Sequence, residues 1–117
     1  MTELSTFEDF LKLDIRVGRV LEAAPLEGAR KPAYRMRIDF GEDIGVLQSR
    51  AQVTDAYGTE EFVGRLVLGV VNFPPRRIAG FKSEVLTLGV YSDGGNGPVV
   101  LIRPDDHPGV KPGDKLG

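Results

Sequence analysis

The spacing of apolar residues along this chain predicts short β-strands and very little helix. Apolar or small residues alternate with polar ones from Tyr34 to Phe40 and again from Val46 to Val53. This is the two-residue period of a strand with one buried face. The polar positions of the two strands are Arg35, Arg37, Asp39, Gln48, Arg50 and Gln52. Leu66 to Val71 is apolar almost throughout and predicts a buried strand.

The residues from Asp14 to Ala23 predict a strand whose alternation slips by one position. Ile15 and Val17 alternate with polar neighbours, but the next strongly apolar residue is Val20. Gly18 stands at this slip, so we expect a β-bulge there. A bulge of this kind would let one strand bend around two sides of a barrel.

Short helices and turns separate the predicted strands. Ser5-Thr6-Phe7-Glu8 fits a capping box. It predicts an N-terminal helix at about residues 6–12, with an apolar face that covers the barrel or a partner chain. Thr54 to Gly64 predicts one or two helical turns. The other predicted segments are a loop at Glu22–Ala33, a loop or broken strand at Asn72–Lys82, strands at Ser83–Val90 and Pro98–Ile102, a turn at Asp93–Gly97 and a Pro/Gly-rich tail at Pro104–Gly117.

Together these elements predict an all-β fold. We expect a five-stranded OB-fold barrel with short helical segments at the N-terminus and between the third and fourth strands. The 117 residues fit a single domain, residues 1–117. The chain has no cysteine, which excludes disulfides and thiolate metal sites. It shows no signal peptide and no bilayer-spanning apolar stretch, so we expect a cytoplasmic protein without membrane insertion.

Charge is distributed unevenly along the chain. The net charge is −2, yet residues 30–82 hold nine basic and six acidic residues, while the remainder holds six basic and eleven acidic ones. The net acidity argues against nucleic-acid binding, because contacts to phosphate depend on Lys and Arg. Residues 30–82 are basic, so the argument against nucleic-acid binding does not apply to the part of the surface that they form.

The segment after the fourth predicted strand carries the strongest binding signal. Two prolines stiffen its backbone, and Arg76, Arg77 and Lys82 follow with no acidic residue between them. Guanidinium groups bind phosphate with paired hydrogen bonds, and Phe73 and Phe81 flank the run as candidates for stacking on bases. The alternative interpretation is a solvated basic turn with two core phenylalanines.

Two further groups of polar residues extend this signal. Ser83 can donate to a phosphate, and Glu84 can accept from a base amino group or hold an arginine in place. The alternative is that both are turn residues at the start of a strand. Arg35, Arg37 and Arg50 on neighbouring strands would form a basic platform on the face where OB-folds bind ligands. The alternative is a water-facing sheet surface with no ligand.

No set of residues indicates catalysis. His107 is the only histidine, and Asp105 and Asp106 precede it, but three adjacent residues rarely converge on one metal ion. The chain has no cysteine nucleophile and no phosphate-binding P-loop motif. We therefore expect a binding protein that has no metal, no cofactor and no enzyme activity.

Three segments carry a family resemblance: Leu13–Val20, Ile38–Gly41 and Val70–Leu86. They resemble the tRNA-binding-domain family, and in particular its CsaA-like members. The family also includes the C-terminal domain of many bacterial methionyl-tRNA synthetases and the endothelial-monocyte-activating polypeptide domain. Where many members have Gly-Met, this chain has Val85-Leu86, which is the CsaA-like version. The resemblance extends from about Phe7 to the C-terminus.

The resemblance implies a homodimeric OB-fold protein that binds structured tRNA by shape and backbone. It also implies a chaperone activity in protein export, with affinity for unfolded polypeptides. By position, it assigns RNA contacts to Asn72, Arg76, Arg77, Lys82, Ser83 and Glu84, and the strand pattern adds Arg35, Arg37 and Arg50. The apolar candidates for peptide contact are Phe73, Pro74, Pro75 and Phe81. The alternative function is a peptide-binding chaperone for which tRNA binding is secondary or absent.

Overall fold

Five antiparallel strands form the centre of the fold. The computed structural model describes residues 3–28, 32–53, 58–78 and 80–117. In chain order the elements are α1 (Phe7–Leu11), β1 (Ile15–Pro25), β2 (Tyr34–Asp39), β3 (Val46–Ala51), α2 (Thr59–Phe62), β4 (Leu66–Val70), β5 (Arg76–Ile78), β6 (Phe81–Ser83), β7 (Leu86–Thr87), β8 (Gly89–Tyr91), a 3₁₀ turn (Asp93–Gly95) and β9 (Val99–Leu101). The main sheet has the order β3-β2-β1-β4-β7, and β5-β6 and β8-β9 are separate two-stranded pairs.

The two edge strands of the main sheet meet and close it into a barrel. The buried hydroxyl of Ser49 on β3 lies 3.1 Å from the Val85 carbonyl oxygen and 2.8 Å from the Thr87 hydroxyl. Beside it, the Glu84 N–H donates to the Gln48 carbonyl at 2.8 Å. Closure pairs edge groups that would otherwise be exposed. With α2 between β3 and β4, this barrel confirms the predicted OB-fold.

The apolar side of the alternating strands packs into one core inside the barrel. Met36 and Ile38 of β2 are buried there together with Phe62 of α2. On the other side of β2, Arg35 and Arg37 are exposed. The predicted alternation of β2 is therefore confirmed.

The bulge predicted in β1 lies elsewhere in the strand. The pairing of β1 with β2 changes register between Val20 and Glu22, not at Gly18. Gly18 has a packing role instead, because a Cβ there would come within 2.6 Å of the Ile38 side chain and 2.7 Å of the Phe40 ring. Its missing side chain lets the core of the barrel approach β1 closely.

Strand β1 is covered on both of its faces, which explains the apparent slip in its pattern. Ile15 and Val17 belong to a second apolar cluster, outside the barrel core and shared with β4. Phe10 of α1 and Val110 of the tail pack against that cluster. Val20, on the other face, belongs to the barrel core. When apolar residues cover both faces of one strand, the sequence shows an alternation that shifts by one position.

The N-terminal helix is present, but its cap lies one residue later than predicted. Thr6, not Ser5, is the N-cap: its hydroxyl accepts from the Asp9 N–H at 3.2 Å, and the Asp9 carboxylate accepts from the Thr6 N–H at 3.2 Å. The bond from the Thr6 backbone, and next the one from Lys12, hold the pKa of Asp9 below its ordinary value.

Three other segments have boundaries in the structure that differ from the predicted ones. Strand β1 continues to Pro25, so the loop predicted at Glu22–Ala33 begins later. The strand predicted at Ser83–Val90 is shared among β6, β7 and β8, because the chain changes pairing partner twice there. Of the helical turns predicted at Thr54–Gly64, α2 accounts for Thr59–Phe62, and residues 54–57 lie outside the described residues.

Candidate nucleic-acid interface

The basic segment after β4 forms a β-hairpin, here called the hairpin (β5 and β6), where the sequence predicted a loop or a broken strand. In its register, Arg76 lies opposite Ser83, and Arg77 lies opposite Lys82. Opposite residues share a face and successive residues alternate. Arg76, Ser83 and Phe81 therefore lie on one face of the hairpin, and Arg77 and Lys82 lie on the other.

Strand β3 holds the hairpin against the barrel. Gln48 Nε2 donates to the Lys82 carbonyl at 2.8 Å, and the Arg50 N–H donates to the Ser83 hydroxyl at 3.2 Å. Glu84 Oε1 accepts from the Gln48 N–H at 3.1 Å. Ser83 and Glu84, which were predicted to contact RNA, thus use their side chains to fix the hairpin relative to β3.

The polar faces of β2 and β3 form a basic surface beside the hairpin, here called the arginine platform (Arg35, Arg37 and Arg50). Arg35 lies directly opposite Arg50 across the two strands, and Arg37 lies opposite Gln48. Arg37 also forms an exposed ion pair with Glu22 of β1 at 3.0 Å. The grouping of these three arginines was predicted from the strand alternation, and the register of β2 with β3 places them together.

The hairpin and the arginine platform meet at Phe81. This half-buried ring lines a small depression together with Arg35, Arg37 and Gln48. An aromatic ring beside guanidinium groups offers a stacking surface for a base and positive charge for the phosphate next to it.

Five cations of this surface have no acidic partner among the described residues: Arg35, Arg50, Arg76, Arg77 and Lys82. Arg77 and Lys82 face each other with like charge, an arrangement that costs stability across a strand pair. The buried Nε–H of Arg50 has no hydrogen-bond acceptor within the described ranges. A chain with a net charge of −2 therefore keeps a positive surface that an anion would stabilise.

A groove, here called the hairpin groove, opens between the hairpin and β7 with a volume of about 200 Å³. Its lining residues are Arg50, Phe73, Pro74, Arg76, Ser83, Glu84, Val85 and Leu86. Phe73 and Leu86 leave apolar surface exposed there. Of the four residues predicted to contact peptides, Phe73 and Pro74 line this groove, Pro75 does not line it, and Phe81 lies on the platform side.

Asn72, also predicted to contact RNA, joins β4 to the N-terminal segment. Its Oδ1 accepts from the Asp14 N–H at 2.9 Å, and its Nδ2 donates to the Lys12 carbonyl at 2.8 Å. Both groups of the amide thus have partners far away in the sequence, which no local pattern could indicate.

Sequence reasoning missed two residues of this region. The sequence predicts one continuous strand through Leu86, but the break between β6 and β7 exposes this residue in the hairpin groove. Gln48 was assigned to the polar face of its strand, but only the fold brings its side chain to Lys82. The alternation pattern could have marked Gln48 as a neighbour of the platform arginines.

Features of other kinds of site are absent from the described ranges. No group of three or more His, Cys, Asp or Glu side chains in that part of the chain could hold a metal ion. His107, Asp105 and Asp106 are exposed. No helix of the described residues is long and apolar enough to cross a membrane.

The family model described as "Putative tRNA binding domain" matches residues 15–115. The chain belongs to this family. The match runs from β1 into the C-terminal tail, so it includes the hairpin, the arginine platform and the hairpin groove. The family resemblance carried by the sequence segments is thereby confirmed.

Solved structures of CsaA chaperones have the same fold over nearly the whole chain. CsaA from Bacillus anthracis str. Ames is 46% identical with a TM-score of 0.88, over 98% of this chain and 100% of that chain. CsaA from Picrophilus torridus is 43% identical with a TM-score of 0.88, over 97% of this chain and 100% of that one.

The chain is also similar to part of a much longer enzyme. The methionine–tRNA ligase of Methanosarcina acetivorans is 36% identical over 110 residues, which are 94% of this chain and 15% of the ligase. The ligase of Porphyromonas gingivalis is 40% identical over 103 residues, which are 88% of this chain and 15% of the ligase. The chain thus spans about 15% of the length of these curated relatives.

We expect Asn72→Ala to lower the free energy of unfolding by about 1–2 kcal/mol, because the Asp14 N–H and the Lys12 carbonyl lose their partner. Urea denaturation monitored by circular dichroism measures this change. Asn96→Ala, at an exposed turn position, is the matched control and should change stability very little. Equal stability of the two variants would contradict a structural role for Asn72.

Proposed function

We propose that this domain binds tRNA, and that the hairpin and the arginine platform contact its phosphate backbone. The observation that carries the proposal is a set of cations on one surface of an acidic chain that, within the described part of the chain, have no acidic partners. Arginine binds phosphate oxygens in a bidentate manner, and the family to which the chain belongs is described by tRNA binding. Such a protein would act in the cytoplasm.

The two faces of the hairpin have different roles in this proposal. Arg76 faces the barrel, where Arg35 and Arg50 extend the same positive surface, so these three side chains bind one stretch of backbone. Arg77 and Lys82 lie on the outer face and bind a neighbouring phosphate. Recognition through backbone and shape suits a structured RNA, whose helices hide the base edges. Ser83, Glu84 and Asn72 support this geometry from within the fold.

We expect the double variant Arg76→Ala/Arg77→Ala to weaken tRNA binding by about ten- to a hundredfold near 0.1 M salt. The slope of log K against log salt should fall by about two, because two phosphate contacts no longer release counterions. Fluorescence anisotropy of labelled tRNA at several salt concentrations measures both quantities.

The control Lys12→Ala/Lys111→Ala removes the same charge from two other exposed positions. If both double variants lose affinity equally, the contact is not specific to the hairpin. Unchanged affinity in the arginine variant contradicts the proposal.

A second candidate function is binding of unfolded polypeptides, as a chaperone in protein export for which tRNA binding is secondary. The hairpin groove favours it, because Phe73 and Leu86 expose apolar surface beside Arg50 and Arg76. Exposed apolar patches of this kind mark interaction sites. The CsaA proteins with the same fold are chaperones.

If the groove binds peptides, Phe73→Ser/Leu86→Ser should abolish suppression of aggregation of a chemically unfolded client, followed by light scattering. The reason is that apolar contact in the groove is lost. Val46→Ser/Val63→Ser is a matched control at similarly exposed apolar positions. Suppression that persists in the groove variant would argue against this function.

We further propose that the domain is a homodimer and that α1 contributes to its interface. Phe10 packs onto the barrel, but Phe7 and Leu11 on the same short helix are 69% and 54% exposed. A two-fold interface would cover this apolar surface and present two hairpins to one folded RNA.

For this dimer, Phe7→Glu/Leu11→Glu should shift the sedimentation coefficient at micromolar concentration from the dimer to the monomer value. Charge at a covered apolar surface opposes association. Val46→Glu/Val63→Glu places the same charges on another surface and should leave the dimer intact. An unaltered protein that sediments as a monomer would refute the dimer.

A further inference from the structure

The hairpin groove brings apolar side chains and cations together in one small space. Phe73 and Leu86, which line it, are 43% and 50% exposed, and the buried Val85 lines it as well. Arg50 and Arg76 line the same groove. A ligand that fills the groove therefore contacts apolar surface and guanidinium groups at the same time.

The fold does not neutralise the two arginines of this groove. Neither Arg50 nor Arg76 forms an ion pair with a residue of the described ranges. The Nε–H of Arg50 is buried and has no acceptor in that part of the chain, so its guanidinium group is partly removed from water. A charge in such surroundings attracts an anion more strongly than a charge in bulk water does.

Glu84 is the only acid among the described residues that line the groove. Its Oε1 accepts from the Gln48 N–H at 3.1 Å, and its Oε2 has no partner within the described ranges. Two arginines and one carboxylate leave the groove with one net positive charge. The groove thus offers two cations to an anionic group and one acceptor to a nearby N–H donor.

The size of the hairpin groove limits what can enter it. Its volume of about 200 Å³ equals about seven water molecules at about 30 Å³ each. It is larger than one ion and smaller than the roughly 300–1,000 Å³ of a pocket for a drug-sized molecule. The groove therefore fits one or two residues of an extended chain.

We infer that the hairpin groove binds the part of an unfolded polypeptide where a carboxylate stands beside an aliphatic side chain, an inference that rests on the proposed peptide binding. The carboxylate binds Arg50 and Arg76, and the aliphatic side chain contacts Phe73 and Leu86. The backbone N–H next to them donates to Glu84.

This chemistry suits a peptide better than a nucleotide. The phosphate of a nucleotide would meet the negative charge of Glu84, and its base presents a planar ring rather than an aliphatic group. A polypeptide supplies the carboxylate in one of two ways: at its C-terminus, or from an Asp or Glu side chain next to an apolar residue.

The first test measures fluorescence anisotropy with three short peptides of the same apolar sequence, each labelled at its N-terminus. One ends in Leu with a free carboxylate, one ends in Leu with an amide, and one has an Asp before the amidated Leu. We expect each peptide that carries the preferred carboxylate to bind about tenfold more tightly than the neutral peptide. Preference for the first peptide alone identifies the chain end as the source, and preference for the third alone identifies the acidic side chain.

The second test compares two variants of the hairpin. Arg76→Gln and Arg77→Gln remove the same charge from its two faces, and only Arg76 lines the groove. We expect Arg76→Gln to reduce the preference for a carboxylate to within about twofold, whereas Arg77→Gln should keep it. Both residues are exposed, and thermal unfolding of each variant confirms that it is folded.

The outcomes separate this inference from the proposed functions. If Arg76→Gln keeps the preference, or if Arg77→Gln loses it equally, the inference is refuted. If the unaltered protein binds charged and neutral peptides equally but still suppresses client aggregation, the inference fails and peptide binding stands. If it neither binds peptides nor suppresses aggregation, both fall. If no peptide binds but Phe73→Ser/Leu86→Ser weakens tRNA binding, the groove binds nucleotides and the inference is overturned.

Discussion

The hydrogen bonds between β3 and the segment that carries β6 and β7 are the constraint on which the rest of the structure depends. Ser49 is buried and joins Val85 and Thr87, while Gln48 exchanges bonds with Glu84. Without these contacts the sheet would end in two open edges, and the hairpin would lose part of its hydrogen bonding to the barrel. One set of bonds therefore closes the core and places the candidate site.

Because side chains of a strand alternate between its two faces, neighbouring residues of β3 perform different tasks: one closes the core and the next ones place the candidate site. Ser49 points into the barrel and satisfies its hydroxyl there, whereas Gln48 and Arg50 point outward to the hairpin and the platform. Adjacent residues of one strand thus serve stability and binding without competing for space. Among the described residues, the bonds that close the barrel involve neutral groups and the Glu84 carboxylate, and the cations near Arg50 have no acidic partner.

The proposed RNA surface and the proposed peptide groove overlap at Arg50 and Arg76. Both side chains line the hairpin groove and both belong to the uncompensated positive surface. The two candidate ligands would therefore share these cations at one hairpin. This overlap is consistent with membership in a tRNA-binding family whose solved relatives include CsaA chaperones.

Local patterns in the sequence were sufficient for β2, β3 and β4, and for the side of β2 and β3 that carries charge. The alternation in β2 and β3 assigned Arg35, Arg37 and Arg50 to one polar face, because a strand with one buried face needs only its own period to be recognised. The capping signal found α1 to within one residue. The run without acids around Arg76 and Arg77 marked the candidate site.

Tertiary structure alone decided which of those residues the fold itself uses. The sequence predicts ligand contacts at Asn72, Ser83 and Glu84, but their hydrogen-bond partners lie more than thirty residues away in the chain, so no local pattern could reveal them. The apparent bulge at Gly18 had the same origin, since a second cluster covers the opposite face of β1. The sequence by itself determined strand period and charge, which are local; pairing partners and the covering of faces are long-range, and only the closed barrel specified them.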